Sequence, residues 1–158
     1  MEEDYDRARR CYEIILASNP DDQLAADNLK LTLEVQKRNG ADKVSKLMDE
    51  NKVDEAFVLV NQLIEQDPNS ATLYNLLARI YGEKKGNIDA AIPYLNKAIE
   101  LDPDFVSAYE NLGIAYATKG NFPKALELLN KALELDPENE HVKKNIDMLY
   151  SNMGGSQK

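Results

Sequence analysis

Apolar residues recur along this chain at steps of three and four, in runs broken by short polar turns. Tyr5, Ala8, Tyr12, Ile15 and Leu16 keep that spacing and predict a helix over 4–18. Leu24, Leu29, Leu33 and Val35 predict a second over 23–38. Val44, Leu47 and Met48 predict a short helix over 41–50, and Ala56, Val60, Leu63 and Ile64 another over 54–66. Runs end at Asn19-Pro20, Asp67-Pro68, Asp102-Pro103 and Asp136-Pro137. The residue before a proline avoids helical geometry, so each pair stops a helix. Asn39-Gly40 reads as a further stop and as a candidate internal break. Asn87 and Asn121, each after a glycine, are suited to cap the helices that follow them. Pro123 sits in a first turn, where no amide partner is lost. Pro93 lies deeper and predicts a local bend.

The second half of the chain is close to a sequence written twice. Tyr74, Leu77, Ala78, Tyr81, Ala91, Ala98 and Pro103 recur as Tyr109, Leu112, Gly113, Tyr116, Ala125, Ala132 and Pro137. Pro103 and Pro137 stand 34 residues apart, as do Ala91 and Ala125. The earlier copy carries one extra residue between Tyr81 and Gly86, compared with Tyr116 and Gly120. Repeats of this length carried by helical patterns mark a solenoid of helix pairs. The aromatic, Leu-Gly, Tyr, small-residue and proline positions resemble those of the tetratricopeptide repeat family. The resemblance implies an all-α, right-handed superhelical solenoid of antiparallel helix pairs.

On that pattern, 39–70, 71–105 and 106–139 form three repeats, the first weaker because its turn, Asn51-Lys52-Val53, lacks glycine. Residues 140–153 then form a capping helix, with a flexible tail at 154–158. Residues 4–18 look like the second helix of a repeat whose first helix is missing, which suggests a piece cut from a longer array. In 23–38 the place of Gly113 falls on Lys30, which cannot serve a close helix contact. That segment resembles 140–153: Asn28 follows Pro20, and Asn145 follows Pro137, at the same distance. Both read as polar-faced caps, making 1–38 a partial repeat plus cap. One continuous superhelix with a divergent 23–38 is the alternative.

Composition removes several functions. The formal net charge is −9, with no basic stripe, so neither nucleic acid nor an anionic membrane surface is an expected partner. Cys11 is the only cysteine, which excludes an intrachain disulfide. Its place between Ala8 and Ile14 suggests a packed thiol. The acidic N-terminus is unlike a signal peptide, and no apolar run reaches membrane-spanning length, so the cytoplasm is the default location. His141 is the only histidine. There is no Gly-rich phosphate loop, no calcium-loop spacing and no nucleophile with a base nearby. No cofactor, metal or catalytic residue is expected.

The resemblance directs attention to the stripe that lines the family's concave face. Here it contains Asn75, Arg79, Glu110, Asn111, Ile114, His141, Lys144 and Asn145. Amides and two cations in one trough suit an extended peptide, with an acidic side chain or C-terminal carboxylate at the cations. The family's carboxylate clamp for chaperone tails is matched only at Asn111. The expected function is therefore a non-enzymatic protein-interaction module that binds a peptide or partner helix. The alternatives are a repeat segment of a larger enzyme, such as a transferase, and an assembly scaffold. The unpaired helix 4–18, with Tyr5, Tyr12 and Ile15, suggests self-association through residues 1–38.

Overall fold

The computed structural model describes residues 2–155. Helices form in the order α1 (Glu2–Ser18), α2 (Gln23–Asp49), α3 (Val53–Gln66), α4 (Ala71–Arg79), α5 (Ile88–Leu101), α6 (Val106–Thr118), α7 (Phe122–Leu135) and α8 (Glu140–Gly155). There is no strand among the described residues. Neighbouring helices pack in sequence, and α2, α4, α6 and α8 also touch one another in succession. That second set of contacts makes one wall of an all-α solenoid.

Small residues let the helices approach. Ala91, Ala98, Ala125 and Ala132 are buried on the second helices. A Cβ on Gly113 would lie 2.8 Å from Leu129 Cγ and 3.3 Å from the Ala125 carbonyl oxygen, so α6 and α7 meet where only glycine fits. Three apolar clusters follow the stack. The first is built on Val44, Met48, Val60, Leu77 and Ile80, the second on Leu95, Leu112 and Leu128, the third on Leu129, Val142 and Leu149. None of these clusters includes α1 or the first half of α2, where only Ala25 and Thr32 are buried among the described residues.

The turns obey the expected chemistry. Asn87 Oδ1 accepts from the Ala90 amide at 3.1 Å, and Asn121 Oδ1 from the Lys124 amide at 3.2 Å. Gly86 and Gly120 take φ of 64° and 76°, and Asn51 fills the same left-handed role at 59° in the turn that lacks glycine. Asparagine tolerates this region better than most residues. α5 runs through Pro93 without interruption.

Three expectations are corrected. The break at Asn39-Gly40 is absent, because α2 runs through it and joins the helices predicted at 23–38 and 41–50. Leu63 of α3 is the reason: a Cβ on Gly40 would sit 2.9 Å from its Cδ2, so the glycine makes room for α3 instead of ending the helix. The interior glycine costs about 1 kcal/mol of helix propensity, which packing along a long helix offsets. Of the tail predicted at 154–158, Gly154 and Gly155 belong to α8, and positions 156–158 lie outside the described residues. Cys11 is exposed, because α1 packs chiefly against α2 and leaves its other faces open. The extra residue of the earlier repeat does not lengthen a loop. It is absorbed as a π-helical turn, Ile80–Lys84, at the end of α4, where the Lys85 amide donates to the Ile80 carbonyl at 3.1 Å. Lys85 Nζ then rests 3.9 Å above the Phe57 ring, and Tyr81 stacks on Tyr94 at 5.5 Å.

Candidate functional site

A groove of about 310 Å³ opens between α4 with its π turn, α5 and α6. Its floor is made of small and aliphatic groups, Ala78, Gly82, Ala91, Leu95 and Ala115. Ala78, Ala91 and Ala115 among them are buried at helix contacts, so the packing that builds the solenoid also hollows the groove. Arg79, Glu83, Asn111, Ile114 and Thr118 form its walls. Ile114 is 41% exposed, and Met148, 34 residues on at the matching place of α8, is 63% exposed.

The structure brings only some of the predicted residues together. Arg79, Asn111 and Ile114 line the groove. Asn75 lies beneath it, buried, with its Oδ1 accepting from Asn111 Nδ2 at 2.9 Å. Asn145 Nδ2 donates to Glu110 Oε1 at 2.8 Å, tying α8 to α6. The asparagines expected to meet a peptide backbone are thus turned on neighbouring side chains and staple successive repeats. His141 and Lys144 are exposed on α8, away from this groove.

Arg79 is not a free cation. Its Nε donates to Glu83 Oε1 at 2.8 Å and a terminal nitrogen to Oε2 at 3.3 Å. That bond raises the guanidinium pKa; partial burial opposes the rise, and Glu83 and Asp49 add attraction. Arg79 and Glu83 stand four apart, the spacing at which helix ion pairs form.

A larger cleft, about 530 Å³, opens between α1 and α3 where both lean on α2. Its polar rim is already paired within the chain. Lys37 bridges to Asp67 at 2.9 Å and Gln36 Nε2 donates to Asp6 at 2.8 Å. Among the described residues no group of three or more His, Cys, Asp or Glu could hold a metal ion, and no helix is long and apolar enough to cross a membrane.

Two family profiles, both described as tetratricopeptide repeat, match residues 83–140 and 59–92, together more than half of the chain. The chain belongs to the tetratricopeptide repeat family. Solved structures agree on the fold. The first repeat domain of Spaghetti (RPAP3) bound to the HSP90 peptide SRMEEVD matches at TM-score 0.67 and 22% identity, over 75% of this chain and 93% of that one. A mutant O-GlcNAc transferase of Thermobaculum terrenum matches at 0.68 and 22% identity, over 73% of this chain and 22% of that enzyme. MamA matches at 0.61 and 25% identity, over 97% of this chain and 81% of that one. No curated protein sequence matches the chain. In this tetratricopeptide repeat protein the groove between α4, α5 and α6 lies on the side where the first helices of the repeats adjoin.

Proposed function

We propose that the chain is a protein-interaction module that holds a peptide or helix of a partner protein in the groove between α4, α5 and α6. The observation that carries this is Ile114, a large aliphatic side chain left 41% exposed beside a hollow floored by alanine and glycine. An apolar concavity with a few polar groups at its edge suits an apolar anchor side chain. The RPAP3 domain, which shares the fold, carries a peptide in its solved structure. Peptide-array binding by the wild type and by Ile114→Asp is the test. The expected outcome is loss of most array signals in a variant whose helix content by circular dichroism is unchanged. Identical arrays from both proteins would refute the groove.

A second reading is favoured by the opposite end of the molecule. Ile14, Leu24 and Leu31 are 68%, 71% and 60% exposed in a hairpin with almost no core. Self-association through residues 1–38 would cover them. Light scattering should then show that Ile14→Glu with Leu31→Glu lowers the mass at high protein concentration. A wild type that stays monomeric throughout rules it out.

A further inference from the structure

We propose that Glu83 is a specificity residue, an internal competitor that turns the groove away from acidic segments and toward uncharged ones. The inference rests on the groove reading above. Arg79 and Glu83 are the only charged side chains lining the groove among the described residues. Their two-point contact occupies the edge of the guanidinium that a ligand carboxylate would use. Such a carboxylate must displace Glu83 and leave it unpaired beside a second negative charge. Asp49, which also attracts Arg79, adds to that repulsion.

The following repeat brings no charge of its own. At the places of Arg79 and Glu83, 35 residues on, stand Ile114 and Thr118. Thr118 Oγ1 donates to the Ile114 carbonyl at 2.9 Å, so its hydroxyl proton is used within α6. One wall of the groove is therefore uncharged, and the other is an arginine already answered by the chain itself. The π turn contributes because the inserted residue lies in the stretch that carries Glu83, next to the floor residue Gly82.

The experiment is a peptide array in which each member carries one fixed leucine flanked by Asp, Asn or Lys, read with wild type, Glu83→Gln and Arg79→Ala. The wild type is expected to favour Asn over Asp. Glutamine keeps a hydrogen bond to Arg79 but releases its charge, so Glu83→Gln should raise the Asp-to-Asn ratio about tenfold, equivalent to about 1.4 kcal/mol. Arg79→Ala should not gain Asp binding. If both wild type and Glu83→Gln bind leucine peptides with the same Asp-to-Asn ratio, the role of Glu83 is wrong while the groove stands. If the wild type binds no member, both readings fall.

Discussion

Gly113 offers the sharpest check on the packing logic. Placing a methyl group there sets a carbon 2.8 Å from Leu129 Cγ, 3.0 Å from Leu129 Cδ2 and 3.3 Å from the Ala125 carbonyl oxygen. Non-bonded carbons prefer roughly 3.5–4.0 Å, so the deficit against Leu129 approaches an ångström. Leu129 is 1% exposed and has nowhere to turn, and the Ala125 oxygen belongs to helix backbone. Overpacking of this kind costs about 1–3 kcal/mol. Against it, alanine in a helix interior regains about 1 kcal/mol of propensity. The net for Gly113→Ala is a loss of up to about 2 kcal/mol. Gly113→Leu must also house three further carbons and should lie at the upper end of the overpacking range or beyond, about 3 kcal/mol. Gly82→Ala is the control. Its Cβ would meet Ile88 Cδ1 at 3.5 Å and Ala91 Cβ at 3.7 Å, ordinary contact distances, so propensity alone should act and stability should hold or rise slightly. Urea melts with an unchanged m-value report the difference as a shift in midpoint. If Gly113→Ala and Gly82→Ala move the midpoint in the same direction by the same amount, the close α6–α7 contact is refuted.

Asn111→Ala should destabilise by about 1–3 kcal/mol, because it leaves the buried Asn75 oxygen without its donor. Replacing Asn75 and Asn111 together by leucine should recover part of the loss in thermal melts; a silent single variant would show that the amide pair is dispensable. Glu50 is held below its ordinary value of 4.5 chiefly by a hydrogen bond from Lys52, and Glu140 likewise by Lys143. A depressed carboxylate stabilises the fold above its ordinary value, and that contribution is lost as pH falls through the folded-state value. Stability should therefore drop on acidification below pH 4.5, less steeply in Lys52→Met and Lys143→Met. Parallel pH profiles for all three proteins would contradict this.

Much of the fold was legible because the two repeats at 71–139 announce themselves through residues with one physical job each. Ala91, Ala125 and Gly113 are small where helices touch, and Asn87 and Asn121 cap where helices begin. Local signals misled where a distant side chain decides. Asn39-Gly40 has the chemistry of a helix end, but Leu63, far along the chain, gives the glycine another purpose. Counting residues located the insertion between Tyr81 and Gly86 without revealing that a helix would swallow it. At the site, the stripe of first-helix residues contributes Arg79, Asn111 and Ile114 to the groove lining. What each side chain does there depends on its partner: Asn75 on Asn111, Asn145 on Glu110, Arg79 on Glu83. Spacing can suggest such pairs, but it does not say whether an amide turns to a ligand or to its neighbour.

α2 is a single rod whose two ends live in different surroundings. Beyond Gly40 it is clamped by Val44 and Met48 in the first cluster, whereas before it only Ala25 and Thr32 are buried. Cooperative opening follows such boundaries more closely than it follows secondary structure. Amide hydrogen exchange along this one uninterrupted helix should therefore be stepped, with fast exchange through Leu24 and Leu31 and slow exchange around Val44. The change should fall near the glycine. A segment that reads as one element in space would then behave as two in time, and the inert-looking junction would mark where the repeat array proper begins to hold together.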